Sequence, residues 1–286
     1  MISSYLLTSA ITSLYTISEL ELRMNDQGGI ILERRIALIT GSAKGLGKMT
    51  ALTLAGQGYD IALNYVHSEA EALQLQQEIQ QLGVRCIAVQ ADVSVEKDID
   101  RLVDEVEQQL GSVDILVNNA GPFIRERRLF MEYERSEIMD MLQGNLIGAM
   151  LLDHRVLPLM RKRKWGRIIH FGFGHAAESR AWPHRAVYAA AKVGLVSFTK
   201  TLAVEEAASG ITVNMICPGD IRGDNKEKRI DEVLGMSDGE TPRGRPGSGE
   251  DIARVIAYLC ETDSDFITGN IMEITGGLDP IRPYVK

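Results

Sequence analysis

Short runs of apolar, often β-branched residues recur at Ile36 to Thr40, Ile61 to Asn64, Cys86 to Gln90, Ile115 to Asn118, Arg167 to Phe171, Ile211 to Ile216 and Ile271 to Ile274. Between them lie stretches of helical length: Lys44 to Gln57, Glu69 to Leu82, Glu96 to Leu110, Glu134 to Met160, Ala186 to Ala208 and Glu250 to Glu261. Runs this apolar, joined by helix-length connections, predict parallel strands buried on both faces. Right-handed crossovers then give an α/β fold, a single-domain doubly wound parallel sheet of about seven strands with helices on both faces. Ligands of such sheets bind at the carboxyl ends of the strands, near the switch point, so chemistry is expected just after strands.

Two regions break the alternation. Residues 1–33 precede the first run and are expected to be a poorly ordered extension to a domain spanning 34–286. Met1 to Leu22 has no Lys or Arg, so it lacks the positive start of an export signal, and Met24 offers a second start that would make residues 1–23 dispensable. Asp220 to Gly249, rich in Gly, Asp, Lys, Arg and Pro, has no clean apolar period and reads as a substrate lid over the crevice.

Composition narrows the function. Of 286 residues 45% are hydrophobic and 24% charged, enough for a real core, and the net charge of −8 gives no basic face for nucleic acid or an anionic membrane. A small-molecule partner is expected. Cys86, Cys217 and Cys260 form no Cys-x-x-Cys pair, which argues against a disulfide framework or a metal site and fits a reducing cytoplasm. The apolar runs are interrupted too often for a membrane span, which needs about 18 continuous residues.

The first strand ends in Thr40-Gly41-Ser42-Ala43-Lys44-Gly45-Leu46-Gly47, and a helix follows. Glycines permit a tight turn and close approach of a pyrophosphate, and the free N–H groups of a helix start attract its charge. The spacing Gly-x-x-x-Gly-x-Gly differs from the usual dinucleotide fingerprint.

With these residues the chain resembles the short-chain dehydrogenase/reductase family, whose first turn reads Thr-Gly-x-x-x-Gly-x-Gly. Asp92-Val93, Asn118-Asn119-Ala120-Gly121, Asn145, Tyr188-x-x-x-Lys192 and Pro218-Gly219 match the family's motifs in order. Gly244-Arg245-Pro246-Gly247, Glu250 to Ala253, Ile267-Thr268-Gly269 and Gly276-Gly277 complete its C-terminal signature. The resemblance, which extends to members similar to 3-oxoacyl carrier-protein reductases, implies a Rossmann-type fold and hydride transfer between a nicotinamide and a carbonyl or alcohol. It assigns cofactor contacts to Gly41, Ser42, Lys44, Gly45, Leu46, Gly47, Tyr65, Asp92, Val93, Asn119, Ala120, Gly121, Tyr188, Lys192, Pro218, Gly219 and Ile221. Tyr188 becomes the acid/base, Lys192 the cation that lowers its pKa and Asn145 a member of the proton relay. A phenol with an ordinary pKa near 10 needs such a neighbour, and positions i and i+4 share one helix face.

The chain departs from the family pattern at two places. Where the family places a serine beside the substrate oxygen, Gly166-Arg167-Ile168-Ile169-His170-Phe171-Gly172-Phe173-Gly174-His175 puts Phe173 or His175, according to the direction of counting. His175 is the candidate replacement, with Ser179 and Glu178 as further possibilities; the bland reading packs Phe173 under the substrate and leaves His175 solvated. Losing one oxyanion donor costs on the order of 10²-fold in rate, so catalysis needs a substitute. After Pro218-Gly219, the chain has Gly223 where the family has a carboxamide-binding threonine.

The second strand ends in Asn64-Tyr65-Val66-His67-Ser68 with no acid, Asp60 lies at its other end, and Lys44 adds a cation, so NADP(H) is favoured over NAD(H). Arg161 to Lys164 read as a solvated C-terminal helix turn, with docking of an acyl carrier protein as the lesser alternative. The resemblance also implies a homodimer or homotetramer. The reading is a cytoplasmic NADPH-dependent ketone or 3-oxoacyl reductase; its rival is a dinucleotide-binding sensor or scaffold with lost or weak catalysis. No metal is expected.

Overall fold

Every one of the seven apolar runs forms a strand. β3 (Ile36–Ile39), β4 (Asp60–Tyr65), β5 (Cys86–Gln90), β6 (Ile115–Asn118), β7 (Gly166–Phe171), β8 (Ile211–Pro218) and β9 (Ile271–Ile274) lie in one sheet, ordered β5-β4-β3-β6-β7-β8-β9. All six pairings are parallel. The computed structural model describes residues 20–24 and 30–281.

Strand alternation sends side chains to opposite layers. Ala37, Ile39, Ile61 and Leu63 pack with Leu54 of α1 (Gly45–Gly56), Ile79 of α2 (Glu69–Gln81) and Ile256 of α8 (Gly249–Cys260). Ile36, Leu38, Leu116 and Ile168 pack with Leu102 of α3 (Glu96–Gln109), Val156 of α5 (Gly148–Arg163) and Leu202 of α6 (Ala186–Glu206). The winding reverses between β3 and β6, so their following loops meet at one switch point.

The structure corrects one expectation and adds detail to two others. The stretch Glu134 to Met160 is not one helix: α4 (Arg135–Leu142) and α5 are joined by a π-helical turn, Gln143–Ile147. Glycines allow the close approach there, since a Cβ on Gly144 would stand 2.4 Å from Pro122 Cδ and one on Gly148 2.2 Å from the Val93 carbonyl oxygen. The Arg161 to Lys164 turn is not simply solvated, because Arg161 Nε donates to Glu206 at 2.7 Å and Arg163 pairs with Asp114 at 3.0 Å. Finally, Ala186–Ser209 is long and apolar enough to cross a membrane by length and composition, but here Leu195, Leu202 and Ala203 pack into the cores beside the sheet.

Within the expected N-terminal extension, β1 (Leu20–Met24) and β2 (Ile30–Arg34) pair antiparallel, Leu20 opposite Arg34, as a separate two-stranded sheet. Residues 1–19, on which the expectations of disorder and dispensability mainly fall, lie outside the described residues.

Candidate active site

The glycine loop is tied to its neighbours from both sides. Gly41 and Gly45 take φ of +60° and +62°, left-handed backbone that favours glycine. Gly41 N–H donates to Asn64 Oδ1 at 3.1 Å, and the Asn64 N–H donates to Ser42 Oγ at 3.1 Å. From the other side Asn119 Nδ2 donates to the carbonyls of Thr40 (2.8 Å) and Gly41 (3.0 Å). Thr40 Oγ1 accepts the N–H groups of Asn119 and Ala120, both at 3.0 Å. A Cβ on Gly47 would stand 2.7 Å from Asn119 Nδ2 and from the Gly41 carbonyl oxygen, so this position has no room for a side chain.

The loop borders a cleft of about 630 Å³ lined by Lys44, Gly45, Leu46, Asn119, Arg125, Gly223, Asp224, Lys226 and Glu227. Its volume falls within the range usual for cofactor sites, and the start of α1, where N–H groups lack helical partners, opens onto it. The residues present therefore fit a dinucleotide. Tyr65 is buried against Ala43, beneath the loop, and burial raises its phenol pKa. Asp92 turns to Ser94, accepting from its N–H at 2.9 Å, while Val93 is buried against the helix layer that includes α3 and α5. Pro218 and Gly219 end β8, and Ile221 and Gly219 line a smaller cavity of about 80 Å³ together with Thr241 and Gly276.

Asp60 does lie at the start of β4, where it pairs with Arg85 at 2.7 Å. An acid missed in the sequence reading is nearby: Glu71, in the first turn of α2, holds the Lys44 ammonium at 2.6 Å.

The chain leads from this cleft directly to Tyr188. Asn119 lines the cleft, a Cβ on Gly121 would stand 2.4 Å from Asn145 Oδ1, and Phe123 meets the Tyr188 ring edge-on at 5.0 Å. Tyr188 and Lys192 lie one turn apart on α6, with Lys192 Nζ 5.9 Å from the centre of the phenol ring. Burial acts on both: it raises the Tyr188 phenol above its ordinary range and pulls Lys192 down to about 8. The thiol of Cys217, itself pushed up to about 12 by burial, lies close enough to Lys192 to interact with its charge. Asn145 sits in the π-helical turn, its Nδ2 donating to the carbonyls of Pro122 (2.8 Å) and Met141 (3.0 Å). Its Oδ1 is buried and has no partner among the described residues, a vacancy for a donor.

The loop after β7 separates Phe173 and His175, the two residues that counting along the sequence places where the family pattern has a serine. Phe173 is 5% exposed and packs against Trp182 at 4.7 Å and Tyr188 at 5.9 Å between ring centres. His175 takes φ +67°; its N–H donates to the Glu273 carboxylate at 2.9 Å and its Nδ1 lies 2.6 Å from Glu178 Oε1. Glu178 also pairs with Arg180 at 2.8 Å, so it is occupied in the loop rather than folded toward the phenol. Gly223, with φ +51°, opens a 3₁₀ turn, Gly223–Glu227, in the segment read as a lid.

Beneath the site lies a buried network that sequence reasoning missed. Asn118 Nδ2 donates to Asp153 at 2.8 Å, Asp153 meets His170 Nε2 at 2.9 Å, and His170 Nδ1 lies 2.8 Å from Thr199 Oγ1. It joins β6, α5, β7 and α6, the elements that carry the Asn119 turn and Tyr188. No local motif announces it, because its members are up to 81 positions apart in sequence. Thr40 was visible as the first residue of the glycine turn and Asn64 only as the end of a strand, and neither showed its hydrogen bonds across the loop.

Comparison with known proteins agrees with this geometry. A family model described as enoyl-(acyl carrier protein) reductase matches residues 41–279. A Bacillus subtilis (strain 168) protein provisionally named oxidoreductase YtkK is 46% identical over 249 residues, 87% of this chain and 98% of its own. The 3-oxoacyl-[acyl-carrier-protein] reductase FabG of Staphylococcus epidermidis is 36% identical over 242 residues, 85% of this chain and 98% of its own. Among solved structures, a provisionally named 3-oxoacyl-reductase from Bacillus thuringiensis matches with a TM-score of 0.81 and 45% identity, covering 87% of this chain and 99% of that one. The acetoin dehydrogenase YohF of Salmonella typhimurium matches with a TM-score of 0.79 and 30% identity, over 88% and 98% of the two chains. The chain belongs to the short-chain dehydrogenase/reductase family and is an oxidoreductase.

Proposed function

We propose that this protein is an NADPH-dependent reductase of ketones or 3-oxoacyl groups, able to run the reverse oxidation with the same residues. The observation that carries the reading is the pair of half-buried Tyr188 and buried Lys192 one turn apart on α6, reached through Phe123 from the Asn119 turn that lines the cleft beside the glycine loop. A nicotinamide held there supplies the hydride. Gly41, Ser42, Lys44, Gly45, Leu46, Gly47, Tyr65, Asp92, Val93, Asn119, Ala120, Gly121, Pro218, Gly219 and Ile221 would hold the dinucleotide.

Tyr188 donates the proton to the carbonyl oxygen. A buried phenol with a raised pKa keeps its proton at neutral pH, the form that reduction requires. Lys192, pulled down toward neutrality, passes protons readily to and from its surroundings, and the unpartnered Asn145 Oδ1 gives a water or the Lys192 ammonium an acceptor. The absence of an acid at the end of β4 and the exposed, exchangeable Lys44–Glu71 pair support NADPH. His175, tied to Glu178 and Glu273, holds the loop to β9 in this reading, and Phe173 forms the apolar wall beside the phenol. The protein is taken to act as a homodimer or homotetramer.

The test is turnover of a small ketone panel and of a 3-oxoacyl thioester, free and on acyl carrier protein, with NADPH and NADH. Tyr188→Phe is expected to reduce kcat by about 10³-fold while NADPH still binds. Binding without turnover, unchanged by Tyr188→Phe, would instead establish the rival reading of a dinucleotide sensor, which the replacement of a serine by buried Phe173 favours.

A further inference from the structure

The start of α1 is already engaged. Its N-cap residue, Lys44, makes no side-chain cap, and the Gly45 N–H donates instead to Glu227 Oε1 at 2.7 Å, across 182 positions of sequence. The second carboxylate oxygen, Oε2, accepts from Lys48 Nζ at 2.9 Å. Despite partial burial, Glu227 is held below the usual carboxylate range by that N–H and by the Lys48 and Lys44 ammoniums. Its backbone is closely seated too: a Cβ on Gly249, the first residue of α8, would stand 2.0 Å from the Lys226 carbonyl oxygen. Glu227, Gly45 and Leu46 line the same cleft.

An anion at a helix start is favoured by the unpaired N–H groups and by the dipole, whether it is a carboxylate or a phosphate. A carboxylate in that place repels any phosphate that approaches it. We propose that Glu227 is an internal occupant of the phosphate position, and that Lys48 is an additional cofactor-binding residue, transferred from Glu227 to the dinucleotide phosphate when the cofactor enters. The Lys48–Glu227 pair is suited to such an exchange. Both side chains are about one-third exposed, 29% and 36%, so solvent screens the pair and its separation is inexpensive. The backbone beside Glu227 is seated against α8, so the exchange is a swing of the exposed Glu227 side chain toward solvent, with the turn Gly223–Glu227 staying in place. Cofactor affinity is thus set against an internal competitor at constant effective concentration.

This inference rests on the dinucleotide reading of the cleft. It is tested by fluorescence titration of NADPH into the full-length protein, with thermal protection by inorganic pyrophosphate as a second readout that needs no turnover. Glu227→Gln is expected to tighten NADPH about 3- to 10-fold and to increase protection by pyrophosphate, and Lys48→Met to weaken NADPH by a similar factor. Glu227→Asp, which withdraws the carboxylate by one methylene, should give a smaller tightening and serves if the glutamine variant does not fold. Unchanged or weaker NADPH binding in the Glu227 variants, with the parent protein binding normally, overturns the exchange and leaves the proposed function standing. Failure of the parent protein to bind NADPH or NADH overturns both.

Discussion

At the β3–β6 end of the cleft, loops are held by neutral hydrogen bonds from Thr40, Asn64 and Asn119, backed by the buried Asp153–His170 pair. At the β7–β8 end, the loops are held largely by polar contacts at or near the surface, the His175–Glu178 hydrogen bond and the Arg180–Asp279 and Arg222–Asp220 ion pairs. Buried polar groups tolerate little displacement because an unsatisfied one is costly, whereas exposed ion pairs contribute at most about 1 kcal/mol and can be exchanged. On the proposed function, the first end holds a fixed shape for the dinucleotide, and the second can change its residues, and with them the substrate accepted, at small cost to the fold.

The comparison can be broken most severely from beneath. Asp153→Ala removes the acceptor of both Asn118 and His170, and should cost about 3 to 5 kcal/mol in chemical denaturation. If the loss is below about 1 kcal/mol, the network is not what fixes the β3–β6 end. Phe173→Ala empties a buried aromatic position and should cost roughly 3 kcal/mol of stability. It should also alter kcat/KM across a ketone panel while leaving NADPH affinity within about two-fold, whereas an equal loss of NADPH binding would merge the two ends into one unit. Gly47→Ala forces a methyl into Asn119 and the Gly41 carbonyl, and should weaken NADPH about 10- to 100-fold in a binding titration.

Smaller effects come from charge. Lys192 has a folded pKa of about 8, below its unfolded value of about 10.4, so between these values the unfolded chain binds more protons and stability rises with pH. Its burial cost is fully present below pH about 8 and relieved by about 10.4. Cys86 and Cys217, both pushed up to about 12, act in the opposite sense above their ordinary value of about 8.5. The check is therefore the difference in unfolding free energy between the parent protein and Lys192→Met, at pH 7 and pH 9.5, which should shift in favour of the parent at the higher pH. The smallest change is expected of Arg222→Ala, which removes exposed pairs with Asp220 and Glu240 and should cost under about 1 kcal/mol.

What the sequence revealed follows the same division. The seven strands and the glycine loop could be read because buried parallel strands must be continuously apolar, and because only glycine fits at Gly41 and Gly47. Tyr188 and Lys192 were picked out by their match to the family's motifs in order, and they fall one turn apart on α6. The π-helical turn was not, since Gln143 to Ile147 carries no residue that forbids an ordinary helix; the constraint is Pro122 and Val93 pressing on Gly144 and Gly148 from elsewhere in the chain. Likewise Glu227 and Glu71 look like solvated acids until folding brings them to Gly45 and Lys44. The two candidates for the serine position, Phe173 and His175, separated only when packing was known, because counting along a loop does not say which residue faces inward.

The wider turn between α4 and α5 has a consequence for how this enzyme can change. A π-helical turn amounts to one residue more than a regular helix of the same rise would hold. Deleting a single residue there would therefore give α4 and α5 an ordinary helical register, while rotating Asn145 about 100° relative to one flank and moving Gly144 or Gly148 off the contact that only a glycine fits. The surplus residue thus sets both packing and aim, and on the proposed function this junction is where one genetic step would misplace the Asn145 side chain.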